Sequence, residues 1–362
     1  MKKVFKVRSA LLPTPIHKMK RISDEIGKAS IYIKRDDLTG IGIGGNKLRK
    51  LDYIIGDAID KGYTTVLTSG GRQTNHGRLT AAAAAKFGLK CVVICNGPKP
   101  EKMSGNLVLN RMLGSEVVFM DLKELEQVFD VDPPQQIIDD YQNFVEQTQQ
   151  KVIKKYEAQG DRVYVIPMGG HTPLGIMGYV DCVKEIMDQN TAANRKIDYL
   201  VVGNGSGGTY GGLLLGSKFY NAPFKVIGIN IAGKDERATE DIIEVTNKTS
   251  DLFNLGVKIA KEDFTLYENS LGVGYNQPDE ETRRAMYRIA SREGILTDPC
   301  YTGKIFNGLL KLVENETIEK DKSVMVIHTG GIPGIWTEEH LDAMHSELWT
   351  DIDVYEFRKE DK

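Results

Sequence analysis

The stretch Gly44-Gly45-Asn46-Lys47-Leu48-Arg49-Lys50 joins an apolar run at 31–33 to an amphipathic pattern at 48–61. The apolar run predicts a strand, and the apolar residues after Lys47 recur at helical spacing. Lys47 therefore falls where a glycine loop leads into a helix. An ammonium is unfavourable at the positive end of a helix dipole, so we expect a lowered pKa for this amine. A lysine of lowered pKa suits Schiff-base chemistry, whereas the alternative is an ordinary solvated lysine on a surface loop.

Length and composition indicate a globular protein of two domains. The chain has 362 residues, of which 41% are hydrophobic and 27% charged, with a formal net charge of -3. No basic stretch indicates nucleic-acid binding, and no apolar segment of the sequence has the length of a membrane span. The basic N-terminus is not followed by the apolar region of a signal peptide, which predicts a cytoplasmic location.

Cysteine and histidine positions do not suggest a metal site. The four cysteines, at 91, 95, 182 and 300, and the six histidines lack the spacing of metal ligands. Cys91 and Cys95 lie on one face of a predicted buried strand, which favours a packing role. We therefore expect no bound metal.

Strand-like apolar runs alternate with helical patterns along most of the chain. Strands are predicted at 63–67, 91–95, 116–120, 163–166, 199–202, 226–229 and 324–327. Helices are predicted between them, among others at 74–87, 104–113, 174–187 and 280–292. This alternation predicts an α/β fold with two open, mostly parallel sheets flanked by helices and a site between them. The Gln-rich segment 135–159 is expected to form an exposed helix or an insertion without an assigned role.

A glycine-rich segment, 203–212, follows the predicted strand at 199–202. Glycines between a strand and a helix direct backbone N–H groups and the helix N-terminus at one anion, which indicates a phosphate site. A dinucleotide fingerprint is the competing interpretation, but no acidic residue ends an apolar strand about 20 residues further on. A Walker loop is excluded because no Gly-Lys-Ser/Thr follows.

Three further polar stretches follow apolar runs. The N–H groups of 68–78, with the side chains of Thr74 and Asn75, suit a carboxylate and a phenolic oxygen, although ordinary helix capping explains both residues equally. Tyr301 follows the strand-like run 294–297 in a polar loop, where a tyrosine is usually part of the core. His328-Thr329-Gly330-Gly331 ends the last predicted strand, where open α/β sheets bind ligands.

Five motifs together resemble the D-cysteine desulfhydrase and 1-aminocyclopropane-1-carboxylate deaminase family. They are 44–51, Gln73-Thr74-Asn75-His76, Gly205-Ser206-Gly207-Gly208-Thr209, 297–304 and His328-Thr329-Gly330-Gly331. Members are pyridoxal-phosphate enzymes of the tryptophan synthase β fold, also called fold type II. The resemblance, which runs from Leu12 to Gly334, implies a large cofactor-binding domain (1–52 and 169–362) and a small inserted domain (53–168). It also implies a homodimer.

The resemblance implies a role for each matching residue. Lys47 binds pyridoxal 5'-phosphate covalently, and the catalytic residues are Lys47, Tyr301, Tyr275 and Thr74. The phosphate is held by Gly205, Ser206, Gly207, Gly208 and Thr209, with Lys50 as a helper. Asn75 contacts the ring hydroxyl, and Thr302 and Thr329 lie on the side of the pyridine nitrogen. The small amino-acid substrate is bound by Arg72, Gln73, Thr74, Asn75 and His171.

Thr302 separates two branches of the family. In the deaminase branch a glutamate at this position keeps the pyridine nitrogen protonated, which strengthens the electron sink for ring opening. A neutral hydroxyl suits β-elimination, in which a good leaving group departs as the Cα proton is removed. The resemblance thus predicts a lyase that converts D-cysteine to pyruvate, ammonia and hydrogen sulfide.

Departures from the family pattern leave the substrate open. Thr74 stands where serine is usual, Arg72 where an apolar residue is typical, and His171 in a changed segment. Arg72 suits an anionic substituent such as that of L-cysteate, although an exposed salt bridge explains it equally. D-Serine and 1-aminocyclopropane-1-carboxylate are further candidates. Two other classes stay open: a nucleotide- or sugar-phosphate-binding protein, and a protein that binds the cofactor without turnover.

Overall fold

The computed structural model describes residues 2–125, 128, 134–231, 236–272, 274, 276–350 and 352–355. The strands of this part of the chain are β1 (Ile16–Lys18), β2 (Ser30–Lys34), β3 (Thr65–Gly71), β4 (Lys90–Asn96), β5 (Glu116–Met120), β6 (Val163–Ile166), β7 (Tyr199–Asn204), β8 (Lys225–Asn230), β9 (Leu266–Tyr267) and β10 (Ser323–Ile327). Its α-helices are α1 (Lys20–Ile26), α2 (Lys47–Asp60), α3 (Asn75–Phe87), α4 (Gly105–Met112), α5 (Gln135–Glu157), α6 (Pro173–Ala192), α7 (Gly208–Phe219), α8 (Glu236–Phe253), α9 (Glu280–Glu293), α10 (Thr302–Glu314) and α11 (Glu338–Leu348).

The strands form two sheets. The larger sheet has the order β1-β2-β10-β7-β8-β9, in which β1 is antiparallel to β2 and the other described pairs are parallel. The smaller sheet has the order β5-β4-β3-β6 and is parallel throughout its described pairs. Helices flank both sheets, as parallel sheets require. The predicted α/β class with two mostly parallel sheets is confirmed.

Helix α2 carries the stretch around Lys47 and packs against the smaller sheet. Its predicted apolar face is buried, namely Leu48, Leu51, Ile54, Ile55 and Ala58. This face shares a hydrophobic cluster with Val66 of β3 and Leu79 of α3. Cys91 and Cys95 belong to the same cluster, which agrees with their predicted packing role.

The Gln-rich segment forms one helix, α5, which is less exposed than predicted. Its sequence is polar along most of its length, but Val152 and Tyr156 are buried near its C-terminal end. Both side chains pack in the cluster that contains Leu67 of β3 and Val92 of β4. The prediction of an exposed helix is therefore wrong for this last part, where α5 covers one face of the smaller sheet.

The two sheets draw on different parts of the chain. The strands of the smaller sheet lie between residues 65 and 166, and those of the larger sheet lie before 35 and after 198. Helix α2 passes residue 52 without interruption. The domain limits 1–52, 53–168 and 169–362 thus stay a prediction. Within the described residues, no helix combines the length and apolar character needed to span a membrane.

Candidate active site

Lys47 is the first residue of α2, at the point where the glycine loop ends. The preceding residue, Asn46, donates from Nδ2 to Thr209 Oγ1 at 3.0 Å and from its backbone N to Thr329 O at 3.0 Å. Gly44 permits this path because its φ is +63° and a Cβ there would overlap the backbone of Asp37. The loop is thereby fixed to the first turn of α7, which follows β7, and to the residues just after β10, at the sheet edge where open α/β sheets bind ligands.

The amine of Lys47 lies near the glycine-rich segment. A Cβ built on Gly169 would collide with the side chain of Ser206 and lie 3.9 Å from Lys47 Nζ. Burial lowers the pKa of Lys47 to about 8. The predicted direction of the shift is confirmed, but its cause is desolvation by burial and not the helix dipole.

The segment 205–209 joins β7 to α7 and has the geometry of an anion site. Gly207 has a φ of +85°, and a Cβ there would overlap the side chain of Ile242. Helix α7 begins at Gly208, so its first N–H groups and the positive end of its dipole face the loop. Lys50 is fully buried and donates from Nζ to Gly169 O at 3.2 Å.

Lys50 and His171 both approach this loop. A Cβ on Gly208 would lie 2.9 Å from Lys50 Nζ and 3.0 Å from His171 Nδ1. His171 Nε2 lies 3.1 Å from a carboxylate oxygen of Asp241 on α8. Pyridoxal phosphate requires an amine of lowered pKa for its aldehyde, and backbone N–H groups with a buried ammonium for its phosphate. The residues present fit this cofactor.

The junction between β3 and α3 carries three of the predicted site residues, whose side chains contact α3 and α4. Thr74 is buried and caps α3, because its hydroxyl accepts from Gly77 N at 3.1 Å. Gln73 contacts α4 through both ends of its amide: Oε1 accepts from Asn106 N at 2.8 Å, and Nε2 donates to Ser104 O at 3.2 Å. Asn75 is half-buried, and its Oδ1 accepts from Asn106 Nδ2 at 2.9 Å.

Tyr301 is the N-cap of α10 and is half-buried. Its ring lies against the glycine loop, since a Cβ on Gly205 would be 3.7 Å from Tyr301 Cε1. No strand forms over the run 294–297 that precedes it, so that part of the prediction is wrong. Asp298 positions the tyrosine instead by accepting from Tyr301 N at 2.9 Å.

The Thr302 hydroxyl is bound to Asp298. It donates to Asp298 Oδ1 at 2.6 Å, and the Oδ1 atom also accepts from Thr302 N at 2.8 Å. The Oδ2 atom accepts from the backbone N–H groups of Cys300 and Tyr301. All four ordinary acceptor positions of the Asp298 carboxylate are therefore used.

Thr329, the other residue predicted near the pyridine nitrogen, is half-buried just after β10, and its backbone contacts Asn46.

Two predicted site residues remain, the substrate-binding Arg72 and the catalytic Tyr275. Arg72 donates from Nη2 to Glu339 Oε1 at 2.7 Å, and both side chains are 35% exposed, as in a surface salt bridge. Tyr275 lies outside the described residues. Leu271 and Gly274 precede Tyr275 in the chain, and their carbonyl groups accept from the buried Lys304.

Sequence reasoning assigned no role to His76 and Asp298, although both lie in motifs of the family resemblance. His76 is buried beside Thr68, with 2.9 Å between His76 Nε2 and Thr68 Oγ1. Burial, with the charges of Lys47 and Lys50, lowers the pKa of His76 well below its usual value, so the ring is neutral. The Asp-Pro pair shortly before α10 is a helix-start signal that could have pointed to Asp298, whereas nothing around His76 indicates a role for its ring.

Comparisons with known proteins agree with this geometry. A family model for pyridoxal-phosphate dependent enzymes matches residues 7–330. A Pyrococcus abyssi protein provisionally named a 1-aminocyclopropane-1-carboxylate deaminase is 37% identical over 341 residues, which cover 93% of this chain and 96% of that protein. D-cysteine desulfhydrase of Yersinia enterocolitica is 37% identical over 328 residues, covering 89% of this chain and 92% of that protein.

A solved structure agrees as well. The crystal structure of an ACC deaminase homologue is 36% identical, has a TM-score of 0.81 and covers 96% of this chain and 97% of its own. The matches include both sheets and the segments around Lys47 and the glycine loop. The chain therefore belongs to the pyridoxal-phosphate-dependent enzymes, within the family of D-cysteine desulfhydrase and 1-aminocyclopropane-1-carboxylate deaminase.

Proposed function

We propose that this enzyme catalyses β-elimination from a small amino acid and that D-cysteine is its substrate. The reaction consumes one water and converts D-cysteine to pyruvate, ammonia and hydrogen sulfide. The observation that carries the proposal is the amine of Lys47, which has a pKa of about 8 and lies beside the loop 205–209. The similarity to D-cysteine desulfhydrase of Yersinia enterocolitica supports the choice of substrate.

Pyridoxal phosphate, when bound, supplies the electron sink that makes the Cα proton of an amino acid acidic. Gly205, Ser206, Gly207, Gly208 and Thr209 would hold its phosphate at the start of α7, where the nearby Lys50 would add positive charge. Asn75 would donate to its ring oxygen, and Thr329 would lie on the side of the pyridine nitrogen.

Lys47 removes the Cα proton of the substrate. With a pKa near 8, about a tenth of a free amine is neutral at pH 7, compared with far less than a hundredth at the usual lysine pKa. Burial thus keeps a base available close to neutral pH.

Tyr301 assists the departure of the β-substituent, together with Tyr275. Its ring lies against Gly205, and its backbone is fixed by Asp298. Thr74 binds the substrate carboxylate near the start of α3. We expect Tyr301→Phe to slow sulfide release about a hundredfold while exchange of the Cα proton with solvent continues. Tyr287→Phe, which removes a hydroxyl bound to Glu347, is the matched control.

The surroundings of Thr302 favour elimination over ring opening. A deaminase of this family uses a glutamate where Thr302 stands, and the neighbouring carboxylate of Asp298 has its four acceptor positions filled. A carboxylate is therefore not available from these two residues to keep the pyridine nitrogen protonated. The guanidinium of Arg72 is paired with Glu339, which argues against a role for Arg72 in binding an anionic substituent such as that of L-cysteate.

Deamination of 1-aminocyclopropane-1-carboxylate is the second candidate, supported by the similarity to the Pyrococcus abyssi protein. Purified enzyme is incubated with D-cysteine, L-cysteate, D-serine and the cyclopropane amino acid, and the 2-oxo acid released is identified. We expect pyruvate and sulfide from D-cysteine. Release of 2-oxobutyrate from the cyclopropane substrate without pyruvate from D-cysteine would overturn the proposal, and a yellow protein without turnover would indicate a binding protein.

A further inference from the structure

Arg78 is a fully buried arginine that connects two sides of the site. Its guanidinium donates to Gly42 O and, at 3.3 Å, to Gly44 O, both in the loop that leads to Lys47. The same group donates from Nη2 to Asn75 Oδ1 at 3.4 Å and from Nε to Asn106 Oδ1 at 2.7 Å. Arg78 thus contacts the loop before the candidate catalytic lysine and the residue proposed to contact the cofactor ring.

The orientation of the Asn106 amide follows from groups that have a single hydrogen-bonding role. Arg78 can only donate, so the Asn106 atom at 2.7 Å from its Nε is the oxygen. The other end of the amide is then the NH2 group, and it donates to Gln73 O at 2.8 Å and Asn75 Oδ1 at 2.9 Å. A carbonyl oxygen such as that of Gln73 can only accept, which agrees with this assignment.

The orientation of Asn75 follows in turn. Its Oδ1 accepts from two donors, Arg78 Nη2 and Asn106 Nδ2. The NH2 group is therefore the end of the amide that is directed away from both. An NH2 group donates to an oxygen and stabilises the negative form of that oxygen, whereas a carbonyl oxygen in the same place repels it.

We propose that Arg78 and Asn106 are positioning residues that hold the Asn75 amide with its NH2 group toward the phenolic oxygen of the cofactor. The proposal rests on the contact between Asn75 and the ring oxygen given above. It goes further by naming the two buried residues, on α3 and α4, that choose which end of the amide the cofactor meets. In this arrangement the guanidinium of Arg78 contacts both Asn75 and the loop before Lys47.

Asn106→Asp tests this directly because it changes the shape of the side chain little. The carboxylate keeps an acceptor for Arg78 Nε but replaces the NH2 group that donates to Asn75. An oxygen of the new carboxylate then faces Asn75 Oδ1 in place of the closer of its two donors. The repulsion turns the Asn75 amide out of its 3.4 Å contact with Arg78 Nη2, so that its own oxygen meets the cofactor. We expect the dissociation constant for pyridoxal phosphate to rise about tenfold, as for loss of one hydrogen bond to a charged group. At fixed pH, the ratio of the visible to the near-ultraviolet absorption band of the bound cofactor falls.

Asn190→Asp is the matched control. Asn190 of α6 is also buried, and its Oδ1 accepts from Arg195 at 3.0 Å. The same chemical change at this Arg–Asn contact should leave the spectrum and the dissociation constant unchanged. Arg78→Lys, which keeps the positive charge but not the planar set of donors, should change both readouts in the same direction as Asn106→Asp and serves if that variant does not fold.

Asn75→Ala separates this inference from the proposed contact on which it rests. If Asn75→Ala leaves the spectrum of the bound cofactor unchanged, the contact itself is wrong. If Asn75→Ala changes the spectrum, Asn106→Asp should change it too, and should have no further effect in the Asn75→Ala background. An unchanged spectrum in Asn106→Asp, or an equal change in both backgrounds, would overturn the positioning role.

Discussion

Two junctions between a strand and a helix, β3–α3 and β7–α7, meet near Lys47 and differ in how the helix starts. At β3–α3 the Thr74 hydroxyl caps the helix by accepting from Gly77 N. At β7–α7 the N-cap is Gly207, which has a φ of +85° and no side chain to cap with. A capped helix start offers side chains to a ligand, whereas an uncapped one offers backbone N–H groups and the helix dipole.

The different helix starts predict separate roles for the two junctions within one site. The uncapped junction suits an anion, and the capped junction suits the polar groups of a ring and a substrate carboxylate. The loop before Lys47 is attached to both: Asn46 donates to Thr209 at one junction, and Arg78 of α3 donates to Gly42 and Gly44 at the other. Local sequence patterns of strand, glycine and helix therefore do not by themselves define a role.

Replacing one glycine by alanine at each junction should give the largest difference between the two junctions. Gly207→Ala places a Cβ at positive φ and against Ile242, so we expect cofactor affinity to fall by about tenfold to a hundredfold. Gly71→Ala at the other junction meets no atom within 4 Å and should change affinity less than about twofold. Both constants are measured by titrating apoenzyme with pyridoxal phosphate. Equal effects at the two glycines would contradict the assignment of the phosphate.

The amine between the junctions should titrate well below an ordinary lysine. Burial lowers the pKa of Lys47 to about 8, and only the neutral amine attacks an aldehyde. Between pH 7 and 9 we expect the rate at which apoenzyme takes up the cofactor to rise about tenfold and then level off. A rate that is still rising steeply at pH 10 would show a normal lysine pKa.

Removing the cap at the β3–α3 junction should cost stability rather than cofactor binding. Thr74→Ala is expected to lower the free energy of unfolding by about 1 kcal/mol, because Gly77 N loses its acceptor. Thr74→Ser keeps the acceptor and is the control. Denaturant unfolding of the apoenzyme measures the difference. If Thr74→Ala weakened phosphate binding as much as Gly207→Ala, the two junctions would not have the separate roles described.

The smallest effect is expected where Arg72 meets Glu339, beside the capped junction. Both side chains are 35% exposed, and an exposed pair of this kind contributes about 0.5 kcal/mol. Glu339→Gln should leave KM for D-cysteine within about twofold of wild type and should not raise the turnover of L-cysteate. A large gain in L-cysteate turnover would instead show that Glu339 withholds Arg72 from the substrate.

Sequence patterns predicted the elements with clear ends. Helix α3 agrees with its prediction to within a residue, because Thr74 gives a cap and Gly88 ends the helix at a φ of 74°. Strands β5 and β6 have the predicted bounds, since each apolar run is short and is bordered by a polar residue or by proline. Lys47 stands at the start of α2 as the glycine loop predicts.

Contacts between distant segments were not predictable in this way. The Asn106 amide contacts residues more than 25 positions earlier in the chain, and nothing in the pattern of α4 marks it. Arg72 meets Glu339, 267 positions away, which a local pattern cannot distinguish from a substrate contact. The cause of the lowered pKa of Lys47 is likewise tertiary, because it depends on what buries the amine.

The covalent attachment at Lys47 is the central claim, and borohydride tests it most directly. The yellow enzyme is reduced, digested and analysed by mass spectrometry, with Lys47→Ala treated in parallel. We expect one peptide, the one that contains Lys47, to carry the mass of the reduced cofactor, and no such peptide from the variant. A label on Lys50 or another lysine, or an unlabelled Lys47 in the reduced yellow enzyme, would contradict the account.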